Sequence, residues 1–180
     1  MRTTTSRHLL VTATAIVALV CPAWALASTG GPHGPVVKAS GDLRDLQAAA
    51  GPFDGAAGTF ALVSSASGSH AVLRVRDIGA AANGRTYGAH LHLGPCVAGD
   101  GAAALGHYNT DVLAGVSPAE VSERTEVWLD LTVDDGAATT ATSVPFVPVA
   151  GARSVVIHAV ATDHLTGAAG ARLACLPVVW

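Results

Sequence analysis

The sequence predicts an all-β fold, an antiparallel sandwich or barrel of short strands, and three observations carry that prediction. Seven runs rich in strand-forming residues recur along the chain, clusters of turn residues separate them, and no stretch has a strong helical period. The chain has 180 residues, 50% of them hydrophobic and 13% charged, which suits one domain with a modest core and excludes a charge-driven disordered protein. With 10 Lys+Arg against 13 Asp+Glu there is no basic footprint, so nucleic acid is not expected as a partner.

The first 27 residues open with Arg2 and Arg7, run through an apolar stretch from Leu9 to Val20 and end at Ala25-Leu26-Ala27, the small-x-small pattern of a cleavage site. This reads as a secretory signal peptide over 1–27, because the apolar stretch is well short of the ~20 residues that span a bilayer. Cys21 follows Val20 where lipidation needs a small residue, so a lipid anchor is not expected. The chain is therefore expected to be exported, to a secreted, periplasmic or cell-surface location, with no stable membrane span. The segment takes Arg2 and Arg7 and no acid with it, so the rest keeps 8 of the 10 basic residues and all 13 acids, a net charge of −5. It also leaves two cysteines, Cys96 and Cys175. Two such residues in an oxidising compartment usually pair; two buried free thiols are the other reading.

Residues 28–57 read as a Gly/Pro/Ala-rich tail, with Gly30-Gly31-Pro32-His33-Gly34-Pro35 unable to build regular structure and a weak pattern over Val36 to Ala50 suggesting a short helix. The β-rich domain is placed at 58–180. Its expected strands are Thr59 to Ser65, His70 to Ile78, Thr86 to Leu93, Glu126 to Val133, Ala138 to Phe146, Arg153 to Val160 and Arg172 to Val179. In His70 to Arg76 the arginines 74 and 76 alternate with Leu73 and Val75, and Val127, Leu129 and Leu131 alternate with Trp128, Asp130 and Thr132. Asp134-Asp135-Gly136 is a hairpin signal, since Asp and Gly tolerate the positive φ of a tight turn. The stretch Asn109 to Arg124 carries Pro118 and reads as an irregular surface loop.

Four of the eight histidines stand in suggestive settings: His90 and His92 in Gly88-Ala89-His90-Leu91-His92-Leu93-Gly94, His107 in Gly106-His107-Tyr108-Asn109, and His158 in Val155-Val156-Ile157-His158-Ala159. On a strand, residues i and i+2 share a face, so His90 and His92 stand side by side with Leu91 turned into the core. Two neutral imidazoles so placed form half of a copper or zinc site. The plainer reading of a bare His-x-His is a surface pair on a polar strand face. His33, His70 and His164 lack a matched partner and read as solvated residues.

In order, Gly-Ala-His-Leu-His-Leu-Gly-Pro-Cys, Gly-His-Tyr-Asn, Arg-Ser-Val-Val-Ile-His-Ala and Gly170-Ala171-Arg172-Leu173-Ala174-Cys175 resemble the copper/zinc superoxide dismutase family over about residues 58 to 178. The resemblance implies a Greek-key β-barrel and an enzyme that converts superoxide to dioxygen and hydrogen peroxide. It implies His90, His92, His107 and His158 as copper ligands, with His107 in the position that bridges to zinc. It also implies Cys96–Cys175 as the intrasubunit disulfide and Arg172 as the cation that attracts and orients superoxide. The other readings are a copper-binding or copper-buffering protein on the same fold and a structural domain that has lost its metal.

The chain departs from the family in two places. No histidine occurs between His107 and His158, and the acids there make a poor zinc site, so one copper without zinc is expected, as in the family's copper-only branch. Glu126 falls near the zinc-ligating aspartate and is the candidate to hydrogen-bond His107 instead. The loop from His158 to Arg172 is short, and Asp163, one position from the usual place, is the candidate carboxylate to orient a ligand histidine.

Overall fold

A computed structural model describes Gly34 and residues 36–180, so the signal-peptide reading, Cys21, His33 and most of the segment before Val36 lie outside the described residues. The strands in chain order are β1 (Val36–Asp42), β2 (Arg44–Asp45), β3 (Ala57–Ser65), β4 (Gly68–Arg76), β5 (Thr86–Tyr87), β6 (Ala89–His92), β7 (Leu131–Thr132), β8 (Ala138–Val144), β9 (Ala152–His158) and β10 (Arg172–Val179), with one short helix, α1 (Thr110–Ala114). They form two four-stranded antiparallel sheets, in the orders β1-β3-β4-β8 and β2-β10-β9-β6, and a two-stranded ladder of β5 and β7. The antiparallel all-β class stands, and among the described residues no ladder joins the two large sheets into a closed barrel.

Alternation makes the core. Phe60 and Leu62 of β3, Leu73 and Val75 of β4, Leu91 of β6, Val155 and Ile157 of β9, and Leu176 and Val178 of β10 are all buried in one cluster fed by both large sheets. Each such side chain contributes roughly 1.5–3 kcal/mol. A slip of one residue would turn a whole strand's set to water, so this pattern sets the register.

The expected helix over Val36 to Ala50 is absent. Val37 pairs with Leu62 and lies 4% exposed, so β1 supplies the outer strand of the first sheet from within the stretch read as a tail. The weak helical period there loses to backbone pairing along β3. The run Thr86 to Leu93 is split at Gly88, whose N–H donates to Val160 O at 2.8 Å and where an added Cβ would lie 2.6 Å from Ala169 Cβ. In Glu126 to Val133 only Leu131–Thr132 forms a regular strand. The preceding residues still run along the free edge of β6, with Leu91 N–H donating to Val127 O at 3.1 Å and Leu129 N–H to Ala89 O at 2.7 Å. Asp135 and Gly136 take φ of 45° and 70° in the expected tight turn. Beyond it the flanking strands part, β7 to β5 and β8 to β4, making a corner between sheets. The loop after His107 contains α1, capped by Asn109 Oδ1, which accepts from Asp111 N at 2.9 Å and Val112 N at 3.1 Å, and closed by Gly115 at φ 73°. No described helix is long and apolar enough to cross a membrane.

Candidate metal centre

The sheet register gathers the four histidines. His90 and His92 lie on the same face of β6, with Leu91 in the core; His107 forms a bridge with His92; His158 ends β9, beside β6. His90 and His92 are fully buried, His158 is 4% exposed, and the His107 side chain keeps 19%. One ring nitrogen from each lies within 4.8 Å of the others, and Nε2 of His92 is 3.3 Å from Nε2 of His158.

Each imidazole uses its second nitrogen on an oxygen outside the cluster. Nε2 of His90 is 2.8 Å from Thr162 Oγ1, and Nδ1 of His92 is 3.1 Å from Leu105 O. Nδ1 of His107 is 2.7 Å from Glu126 Oε2, and Nδ1 of His158 is 3.2 Å from Gly170 O. Such contacts set tautomer and ring direction in metal-ligating histidines. Nδ1 of His90 is buried with no hydrogen-bond partner, a cost unless something else accepts its lone pair. Four inward imidazole nitrogens, one of them orphaned, fit a single metal ion of the kind imidazole suits, such as copper or zinc.

Burial keeps the rings of His90, His92 and His158 neutral. Burial, then the charges of the other histidines, pushes His90 far below its ordinary value. Burial foremost lowers His92 to about 2 and His158 to about 4, with the Arg172 charge adding to both. Neutral imidazole is the form that binds metal. Burial alone would raise the Glu126 carboxyl, but hydrogen bonds from His107, Asn109 and Trp128 outweigh it and hold the group below the usual carboxylate range.

Arg172 sits opposite His158 in the β9–β10 register. Its Nη1 donates to Gly101 O and its Nη2 to Leu105 O, the same carbonyl that accepts from His92. Cys96 and Cys175 form a disulfide with Cα atoms 5.7 Å apart, and Arg44 Nη1 donates to Cys96 O at 2.7 Å. The bridge fastens the segment that carries Gly101 and Leu105 to β10.

Glu126 does lie against His107, as its position suggested. Asp163 does not reach a ligand: its carboxylate accepts from Leu165 N at 2.8 Å and Thr166 N at 3.2 Å, shaping its own turn. The group behind His90 is Thr162, whose backbone N–H donates to Asp130 Oδ2 at 2.8 Å and whose hydroxyl donates to Asp130 Oδ1. Thr162, Asp130, Asn109, Trp128 and Leu105 are the supporting residues that sequence reasoning missed. Alternation held a signal for two of them, since Glu126, Trp128 and Asp130 share one face of a run beside β6. His70 and His164 are exposed, the first against Ser143 Oγ at 3.0 Å and the second paired with Glu123.

Fold and site together define an antiparallel all-β protein with a buried four-histidine cluster able to hold one metal ion. No protein-family model matches the chain, and no curated protein matches it in sequence.

Proposed function

We propose that the protein is an exported superoxide dismutase that uses one copper ion without zinc, on a Greek-key fold of the copper/zinc superoxide dismutase type. The observation that carries this reading is the fixed cation beside the cluster: Arg172, opposite His158, with its guanidinium pinned by two backbone carbonyls. A metal store has no evident need of such a group, whereas an enzyme acting on a small anion does. The ordered motifs, the two sheets sharing one core and the Cys96–Cys175 disulfide also support it.

His90, His92, His107 and His158 would hold the ion. Bound copper supplies one-electron redox between its two oxidation states, so that two superoxide ions and two protons give dioxygen and hydrogen peroxide. Arg172 draws the anion to the exposed side of the cluster and orients it with the N–H groups that Gly101 and Leu105 leave unused. His107 is the most exposed of the four histidines, and its Nε2, which would hold the ion in one half of the cycle, would in the other half take a proton from solvent and pass it to the reduced product. Glu126 then forms an ion pair with the protonated ring through Nδ1. Asn109 and Trp128 hold the Glu126 carboxylate against Nδ1 of His107, the nitrogen a second metal would need, which supports the copper-alone reading.

Pulse radiolysis on the chain from Ser28, loaded with copper alone and checked for metal content, tests the proposal at wild type and Arg172→Ala. Near-diffusional turnover that drops at least tenfold in the variant is expected. Tight copper binding with negligible turnover in both proteins would make this a copper buffer instead.

A further inference from the structure

His90 differs from its three partners in what supports it. Backbone carbonyls accept from His92 and His158, and a carboxylate accepts from His107, whereas His90 meets a hydroxyl. A hydroxyl both donates and accepts and rotates freely, so on its own it selects no tautomer. Here it is not alone: Asp130 grips Thr162 at two points, taking the backbone N–H on Oδ2 and the hydroxyl proton on Oδ1. With that proton committed, Thr162 Oγ1 can only accept from His90. Nε2 of His90 therefore carries the hydrogen, and Nδ1 presents a bare lone pair to the cluster, where the protein offers it no donor. The other tautomer would aim an N–H at the cluster with no acceptor and set a lone pair against the Thr162 oxygen.

We propose that Thr162, clamped by Asp130, is the positioning residue that fixes His90 in its metal-binding tautomer. The inference rests on the four histidines being a metal site and not on turnover. The sequence is built for the contact. Thr162 is 6% exposed, and a Cβ at position 88 would stand 2.8 Å from its Oγ1, so Gly88 lets the threonine approach the strand. Asp130 comes from the run along the outer edge of β6, and Thr162 from the loop between His158 and Arg172. The clamp thus ties that loop to the strand bearing His90.

The test uses the chain from Ser28 as wild type, Thr162→Val, Thr162→Ser and Asp130→Asn. In the metal-free protein, long-range nitrogen–proton NMR is expected to show His90 protonated at Nε2 in wild type and Thr162→Ser, and as a tautomer mixture in Thr162→Val. With Cu(II) added, Thr162→Val is expected to change the electron paramagnetic resonance hyperfine splitting and weaken copper about 10–100-fold against a competing chelator. Asp130→Asn should move both readouts in the same direction, and Thr162→Ser should restore them. A folded Thr162→Val with the wild-type tautomer, spectrum and affinity overturns the proposal while leaving the metal site standing. Failure of Thr162→Ser to restore the spectrum overturns it too, since the threonine would then act by packing alone. A wild type that takes up no copper overturns both this inference and the metal-site reading.

Discussion

Oε2 of Glu126 lies 2.7 Å from Nδ1 of His107 and 2.7 Å from Nε1 of Trp128, while Oε1 accepts from Asn109 Nδ2 at 3.0 Å. A carboxylate can serve all three donors, and an amide cannot. In Glu126→Gln, an oxygen kept toward His107 and Trp128 would turn the amide N–H groups against the Asn109 amide. The substitution is expected to cost about 1–3 kcal/mol in chemical unfolding and to weaken copper about 10–100-fold. The folded-state pKa of Glu126 is depressed, so its contribution to stability is full at neutral pH and is lost on acidification through the carboxylate range. The variant should therefore lose less stability than wild type as the pH falls below about 4.5, where the unfolded carboxyl begins to take up its proton. Equal acid sensitivity and unchanged copper affinity would show that His107 does not depend on this carboxylate.

The buried imidazoles carry a pH dependence of their own. His158 is lowered to about 4 and His92 to about 2, each chiefly by burial, whereas an unfolded histidine titrates near ~6.5. Below that pH the unfolded metal-free chain binds more protons than the folded one, so stability falls as pH drops from about 6.5 toward 4. Thermal scans of the metal-free protein should show the melting temperature falling steadily over that window. His158→Gln should make the fall shallower. Adding copper at pH 7 should raise the melting temperature, and a chelator should reverse the gain. A flat profile between pH 7 and 5 would mean that the rings are not held neutral.

The strands that read most clearly were those with one buried face. In β3 and β4 the alternation of buried Phe60, Leu62, Leu73 and Val75 with more exposed neighbours such as Thr59, Arg74 and Arg76 marks both element and register, because burial decides each position. β1 was missed because its buried residues, Val37 and the half-buried Ala39, leave too little pattern beside glycine and serine, and its pairing comes from β3. His90 and His92 could be paired because strand periodicity puts them on one face, whereas His107, His158 and Glu126 could be named only from their positions in the resemblance. Thr162 and Asp130 could not. They meet across 32 residues, through a bond that depends on how a loop folds back over β6, and no local pattern encodes that distance.

The Cys96–Cys175 bridge closes a sequence separation of 79 residues, where the chain-entropy estimate of its stabilisation is about 4 kcal/mol. It also joins a small buried cluster of Leu46, Ala104 and Val156 beside the metal-site loop. Cys96→Ser with Cys175→Ser should lower the free energy of unfolding by that order in urea titrations. It should also weaken copper binding, because Gly101 and Leu105, which hold Arg172 and His92, lie in the segment that the bridge fastens. A large stability loss with unchanged copper affinity would separate the bridge from the site.

Leu105 has φ 60° and ψ −154°, a region that is essentially glycine's, yet its carbonyl accepts from both His92 Nδ1 and Arg172 Nη2. The strain of a leucine there is about 1–3 kcal/mol. The residue is 57% exposed, so truncation removes little buried area. Leu105→Gly relieves the strain while adding about 0.4–1 kcal/mol of unfolded-state entropy, so a net gain of about 1 kcal/mol is expected in urea unfolding. Copper affinity should stay within a few-fold of wild type, because the carbonyl and its two donors remain. A destabilised variant with intact copper binding would mean that the leucine side chain contributes more by packing than its backbone costs. A stabilised variant that loses copper would show that the strained backbone is what holds the carbonyl between His92 and Arg172.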